Sequence, residues 1–134
     1  MKKIARGERN NNPGNLRHGS NWQGLSLLQT DKEFCQFISP EFGIRAIYKL
    51  LKTYQSKHGL NTVSMIINRY APANENNTNS YIDRIEKEIN IHKDKPVNTK
   101  SKLEMIPLVI AIVTVELGYQ PYSKIVFENA WNLL

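Results

Sequence analysis

One carboxylic acid of this chain stands at the end of its most apolar stretch. Glu116 follows the apolar run 108–115 and precedes Leu117 and Gly118. Such a run predicts a buried helix, and glycine is common just past a helix end. Burial disfavours a charged carboxylate, and the negative end of the helix dipole acts in the same direction, so we expect a raised pKa for Glu116. An acid that keeps its proton can protonate the leaving oxygen of a glycosidic bond.

The same spacing also fits a glutamate on the surface at a frayed helix end. The residues alone do not favour the buried acid over the surface glutamate. Glu8 and Glu33 lie among polar residues and are predicted to be surface charges.

The stretch 111–123 resembles the catalytic helix of soluble lytic transglycosylases and goose-type lysozymes. In those families an apolar helix ends in Glu-Ser-Gly, with a proline after two further residues and a small residue after one more. Glu116, Gly118, Pro121 and Ser123 stand at the matching places, whereas Leu117 replaces the serine.

Two other segments are similar to parts of cell-wall hydrolases. In 75–82, Glu75 precedes a stretch with Tyr81 that resembles a transglycosylase segment whose tyrosine leans towards the catalytic acid. The segments 12–17 and 22–24 resemble the Asn-rich hairpin of glucosaminidase-type wall hydrolases. The opening 6–15 also resembles phage-associated virion proteins that carry a lysozyme-like domain.

The catalytic helix comes first in ordinary members of these families, but here it is the last helix but one. A circular permutation of the lysozyme-like superfamily, opened just after that helix, would account for the order, because domain termini often lie close together. The resemblance implies one lysozyme-like domain over 1–134, with 1–14 as a flexible or loop-like start.

The resemblance further implies that Glu116 cuts peptidoglycan between N-acetylmuramic acid and N-acetylglucosamine, first as acid and then as base. A lytic transglycosylase needs one carboxylate, since the 6-hydroxyl of the sugar replaces water. A muramidase would normally use a second, for which Glu75 is the first candidate and Glu41 the second, although Glu41 also suits the first turn of a helix. Both reactions stay open.

Substrate contacts are expected from amide, guanidinium and aromatic side chains, since sugars bind through hydrogen bonds and ring faces. The candidates are Asn15, Arg17, Trp22, Gln23, Tyr70 and Tyr81. Tyr70 and Tyr81 also fall on apolar helix stripes, which equally predicts core positions. The three histidines are isolated and no calcium-loop spacing occurs, so we expect no metal and no cofactor.

The formal charge of +6 favours polyanionic partners. Two functions without catalysis remain as alternatives: an inactive virion structural or adaptor protein, and a basic nucleic-acid module using 62–84 as two helices and a turn. The long loop of that segment disfavours the nucleic-acid module. We expect peptidoglycan to be the partner, with no nucleic-acid binding and no membrane insertion. The protein is expected to be a monomer or a virion component.

The first residues show no apolar run, so we expect synthesis in the cytoplasm without a signal peptide. Delivery to the wall would then need a virion, a holin or a secretion apparatus. The single cysteine, Cys35, lies between aromatic residues and is expected to be buried and inert.

The elements that must position these side chains form a mainly α fold of α+β type. Broken alternation over 15–38 predicts a small antiparallel β region near the N-terminus. Five helices follow, with starts predicted at Ser39-Pro40, Thr62, Thr78 and Ser123 and a start near Pro107 or before it. Gly59 and Gly118 are predicted to end two of them.

Overall fold

The computed structural model describes residues 3–134, which form six α-helices, five of them around one long apolar helix. The helices are α1 (Arg6–Arg9), α2 (Pro40–His58), α3 (Val63–Tyr70), α4 (Thr78–Ile89), α5 (Lys102–Leu117) and α6 (Lys124–Asn132). Helices α2 to α6 are the five that the sequence predicts. The sixth, α1, lies within 1–14, where a flexible or loop-like start was expected.

Helix α5 lies at the centre because its stretch 105–113 is apolar on every side, which is typical of a buried helix. It packs against α1, α2, α4 and α6. Its buried residues are Met105, Ile106, Leu108, Val109, Ala111, Ile112, Val113 and Leu117. Pro107 lies inside the helix, which already begins at Lys102. The packing of α5 therefore places Glu116 in the last turn of a largely buried helix.

The ends of the helices follow the predicted signals, with one change. Gly59 and Gly118 adopt the left-handed conformation, with φ of 65° and 82°, at the ends of α2 and α5. Thr62 caps α3, because its hydroxyl accepts a hydrogen bond from the Met65 amide at 3.1 Å. The cap of α4 is Asn77 rather than Thr78. The Thr78 hydroxyl is directed elsewhere and donates to the Ala71 carbonyl at 2.6 Å.

The segment 15–38 does not form the small β region that its alternation predicts. Within the described residues it contains two isolated antiparallel bridges, Arg17 with Phe34 and Leu25 with Phe37. Side-chain amides satisfy much of its backbone instead: Gln36 accepts from the Thr30 amide at 2.6 Å, and Gln29 accepts from the Gln36 amide at 2.8 Å. Such bonds compete with a strand ladder, which explains why the alternation produces no sheet.

The Asn-rich segment 10–15 is packed into the protein. Asn12 is 0% exposed, and its side chain bonds both the amide and the carbonyl of Leu16 as well as the Cys35 carbonyl. Helix α2 passes so close that a Cβ on Gly43 would lie 2.0 Å from the Asn11 carbonyl oxygen. The segment therefore forms a fixed wall between α2 and the end of α5.

The Asp31 carboxylate connects α1 to the turn that precedes Phe34. Asp31 accepts two hydrogen bonds from the Arg6 guanidinium, both at 2.7 Å, and one from the Asn10 amide at 2.9 Å. The Arg6 hydrogen bond, followed by that of Asn10, holds the pKa of Asp31 well below its usual range. The ionised form of Asp31 is therefore much more favourable in the folded chain than in the unfolded one.

Asp31→Asn is expected to lower the melting temperature by several degrees at pH 7, with a smaller difference in acid. A carboxylate with a depressed pKa contributes its full stability above its ordinary pKa of about 4, and that contribution is lost as the pH falls towards the depressed value. Thermal unfolding followed by circular dichroism between pH 7 and pH 2 measures the difference. Asp83→Asn, at an exposed position of α4, is the control, and equal melting of all three proteins at pH 7 would contradict this role for Asp31.

None of the helices formed by residues 3–134 is both long and apolar enough to cross a bilayer. The finding agrees with the helix lengths, since a span needs about 20 apolar residues.

Candidate active site

A cleft of about 370 Å³ opens beside the C-terminal end of α5. Its walls come from the Asn-rich segment, from α2 and α3, and from the loop that follows α3. The polar and charged side chains of its lining include Asn15, Arg17, Arg69, Tyr70, Glu75 and Glu116. Residues separated by a hundred positions in the chain thus share one concave surface.

Glu116 lies in the last turn of α5, partly buried at the edge of this cleft. Its Oε1 accepts a hydrogen bond from Nδ2 of Asn15 at 2.9 Å. Burial raises the pKa of Glu116 and outweighs the side chains of Asn15 and Tyr81, which lower it. The net direction is the one predicted from the apolar run, and it favours the protonated acid.

The backbone holds Asn15 in place through its neighbours. Asn15 has a φ of 51°, in the left-handed region that asparagine tolerates better than most residues. The carbonyl of Gly14 accepts a hydrogen bond from the Tyr70 hydroxyl at 2.6 Å. A Cβ on Gly14 would lie 2.4 Å from that hydroxyl oxygen, so only glycine allows this approach. The loop is thereby fixed to α3 while its next side chain reaches Glu116.

Two tyrosines place neutral phenols near the acid. Burial, followed by the negative charge of Glu116, raises the pKa of both Tyr70 and Tyr81 well above the ordinary value. Tyr81 is 6% exposed, and its hydroxyl makes no hydrogen bond of ordinary geometry within residues 3–134. It lies close enough to Glu116 to lower the pKa of that acid. Tyr81 is thus, beside Asn15, a second side chain that favours the ionised form of Glu116.

The structure brings most of the predicted site residues together. Glu116, Glu75, Asn15, Arg17 and Tyr70 line the same cleft. Tyr81 lies behind Glu116 in the core, as its apolar stripe also predicted.

Three other candidates lie outside the lining of the cleft. Trp22 packs against a separate small core that contains Phe37. Gln23 is exposed to solvent next to it, and Glu41 stands in the first turn of α2, where its position is that of a helix N-terminal acid. Arg69 also lines the cleft, although its sequence context gives no signal of a site, since a charged residue on a short helix is typical of a solvated surface.

The structure shows no metal-binding cluster among residues 3–134: no three histidine, cysteine, aspartate or glutamate side chains are grouped as ligands. Cys35 is buried, with 1% exposure, and burial raises the pKa of its thiol. The cleft itself is lined by carboxyl, amide, guanidinium and phenol groups.

Asn15→Gly is expected to raise the pKa of Glu116 further. The Asn15 amide stabilises the carboxylate, so its removal favours the protonated form, while glycine tolerates the left-handed φ at this position. Carboxyl-carbon NMR titration of Glu116 in both proteins measures the shift. Asn74→Gly, in an exposed loop, is the matched asparagine control, and an unchanged titration of Glu116 in Asn15→Gly would show that this hydrogen bond has no effect in solution.

Comparison with known proteins shows a clear relative. The chain is 40% identical over 128 residues to Protein P5 of Pseudoalteromonas phage PM2, an alignment that covers 92% of this chain and 78% of that protein. The chain belongs to the Protein P5 family. Membership in the Protein P5 family confirms the link to bacteriophage that the opening segment 6–15 indicates. No family model matches the chain, so the lysozyme-like superfamily gains no support from that comparison.

Proposed function

We propose that this Protein P5 family member cleaves the glycan strand of bacterial peptidoglycan between N-acetylmuramic acid and N-acetylglucosamine, as a lytic transglycosylase or a muramidase. The observation that carries the proposal is the state of Glu116: a partly buried acid with a raised pKa, on a cleft, with an amide donor at 2.9 Å. A lysozyme-like, circularly permuted fold is part of the same proposal. It is supported by the Asn-rich segment lying beside the end of the acid-bearing helix.

The first step is a proton transfer from the Glu116 carboxyl to the glycosidic oxygen. The bond between that oxygen and the anomeric carbon breaks, and the leaving sugar departs as an alcohol. Glu116 is then a carboxylate, which Asn15 already contacts and which the Tyr81 hydroxyl can reach. Both groups favour the ionised form that proton donation produces.

The second step returns a proton to Glu116. In a transglycosylase it comes from the 6-hydroxyl of the muramic acid residue, whose oxygen bonds the anomeric carbon and closes an anhydro ring. In a muramidase it comes from a water, and a second carboxylate would assist. Glu75 is the carboxylate available for that role, because it lines the same cleft and is exposed.

Lysis of purified peptidoglycan sacculi, followed by turbidity, tests the proposal with the wild type beside Glu116→Gln. Mass spectrometry of the released fragments separates the reactions, since anhydro products are one water lighter than hydrolytic ones. Glu75→Gln extends the test: loss of hydrolytic fragments in that variant would assign Glu75 as the second carboxylate, and unchanged products would exclude it.

A virion component without catalysis is the second candidate. The phage relative supports it as much as it supports an enzyme, because a phage protein can serve either purpose. Absence of lysis by the wild type as well as by Glu116→Gln would favour this candidate. As an enzyme, the protein would reach the wall through a virion, a holin or a secretion apparatus.

A further inference from the structure

Two guanidinium groups line the cleft together with Glu116, and they differ in whether an acid of the protein pairs with them. Arg17 lies 3.4 Å from the Glu33 carboxylate and over the Phe34 ring at 5.0 Å. Arg69 forms no salt bridge with an acid among residues 3–134. Its contact is with the ring of Tyr54, whose centroid lies 5.3 Å from the guanidinium carbon. Arg69 is therefore a cation in the cleft without a carboxylate partner in the part of the chain that is described.

The backbone of Arg69 is held beside the cleft by its neighbour on α3, while the Arg69 side chain is exposed to solvent. Arg69 precedes Tyr70 on α3, and Tyr70 is bonded to the Gly14 carbonyl next to Asn15. Tyr54, which supports the guanidinium, is 7% exposed and belongs to the core. Arg69 also acts on the Tyr54 hydroxyl through a side-chain hydrogen bond, which offsets part of the rise that burial causes in the pKa of Tyr54. The remaining N–H groups of the guanidinium form a planar fork, which matches the two oxygens of a carboxylate.

The other charges around the cleft leave room for an anionic ligand. Glu33 already pairs with Arg17, and the raised pKa of Glu116 favours its neutral form. Glu75 is the remaining acid of the lining, and it is exposed to solvent. A ligand carboxylate near Arg69 would therefore meet a cation that no acid of the described residues pairs with, in a cleft where burial disfavours the charge of Glu116.

We propose that Arg69 binds a carboxylate carried on the lactyl arm of muramic acid, so that the cleft selects muramic acid glycans over neutral chitin. The inference rests on the proposed function for the kind of sugar, and it adds the residue that discriminates. Two sources share this chemistry: the free lactyl carboxylate of a strand without peptide, and a carboxylate of the stem peptide that is joined to the lactyl group.

Binding tests this inference without turnover when it is measured in the Glu116→Gln background. Three probes share four sugar rings: chitotetraose, the tetrasaccharide of alternating N-acetylglucosamine and N-acetylmuramic acid, and that tetrasaccharide with L-alanyl-D-glutamate on its lactyl groups. Isothermal titration calorimetry gives the dissociation constants. The variants are Arg69→Gln and the control Arg84→Gln, whose arginine pairs with Glu88 on α4 outside the cleft.

We expect Arg69→Gln to weaken binding of at least one carboxylate-bearing probe by roughly tenfold, which is about 1.4 kcal/mol, because the variant loses a charge-assisted hydrogen bond. Binding of chitotetraose should change by less than about twofold, and Arg84→Gln should alter neither, because a screened surface pair contributes little. Dependence on Arg69 with the bare tetrasaccharide identifies the lactyl carboxylate, and dependence with the peptide-bearing probe alone identifies the stem peptide. Added salt should reduce the preference.

Equal losses for chitotetraose and the charged probes would overturn the inference, as would unchanged binding in Arg69→Gln or no binding of any probe. The proposed function fails separately. A wild type that does not lyse sacculi, with Arg69-dependent binding retained, would refute cleavage and keep this assignment. A wild type that lyses sacculi, with binding independent of Arg69, would support cleavage and refute the assignment of Arg69.

Discussion

Glu116→Gln is expected to abolish lysis of sacculi while the protein stays folded and becomes more resistant to heat at neutral pH. Glutamine has no proton to give to a glycosidic oxygen, and a general acid contributes about 10²–10⁴-fold in rate. The turbidity rate should therefore fall at least about a hundredfold. The fold should persist because the side chains have the same shape, and the glutamine oxygen can still accept the Asn15 hydrogen bond.

The gain in stability follows from the raised pKa of Glu116. The folded protein disfavours the ionised carboxylate relative to the unfolded chain, so the wild type loses stability as the pH rises through the ordinary value of 4.5. That loss is complete above the raised folded pKa. Glutamine carries no such cost, so the melting temperatures of the two proteins should coincide near pH 4 and separate by pH 7, with Glu116→Gln the higher.

Thermal unfolding at both pH values, together with the turbidity assay, tests these two expectations on the same samples. Glu88→Gln is the control, since Glu88 lies in an exposed ion pair on α4. Lysis by Glu116→Gln at the wild-type rate would remove this residue from the mechanism. A lower melting temperature for Glu116→Gln at pH 7 would show that burial does not disfavour the charge in solution.

Helices α2 to α6 and the acid could be predicted from the sequence because both depend on the pattern of apolar residues. The run 108–115 predicts a buried helix, and the burial of that helix determines the environment of Glu116. The hydrogen-bond partner of Glu116 could not be found in this way, since Asn15 is 101 positions distant. Only a resemblance to wall hydrolases placed Asn15 at the site in advance.

The features that sequence reasoning missed depend on side chains that bond the backbone or on distant surfaces. The segment 10–15 looks like a polar loop, yet Asn12 is buried because three backbone groups surround its amide. The alternation over 15–38 failed to produce a sheet because Gln29 and Gln36 satisfy the backbone there. A binding role for Arg69 can be inferred only from the fold, which brings Tyr54 and the cleft beside it.

Asn12→Ala is expected to be the most destabilising single change among the polar residues of the N-terminal segment. The Asn12 amide nitrogen donates to the Leu16 and Cys35 carbonyls, both at 2.9 Å, and its oxygen accepts from the Leu16 amide at 3.0 Å. Alanine leaves the Leu16 amide and the Cys35 carbonyl without partners, whereas the Leu16 carbonyl keeps the hydrogen bond from the Cys35 amide. Each buried group without a partner costs about 1–3 kcal/mol. The free energy of unfolding should fall by roughly 3 kcal/mol or more, a large share of the usual 5–15 kcal/mol.

Denaturant unfolding at pH 7 measures this loss, with Asn74→Ala in an exposed loop as the control. Asn12→Asp is the sharper probe, because it keeps the shape and the acceptor for the Leu16 amide but turns the donor into a second acceptor facing two carbonyls. We expect Asn12→Asp to destabilise the protein at least as much as Asn12→Ala. If Asn12→Asp instead unfolds like the wild type, the donated hydrogen bonds do not hold the segment, and the wall that carries Asn15 to Glu116 must be held by packing around Gly14 and Gly43.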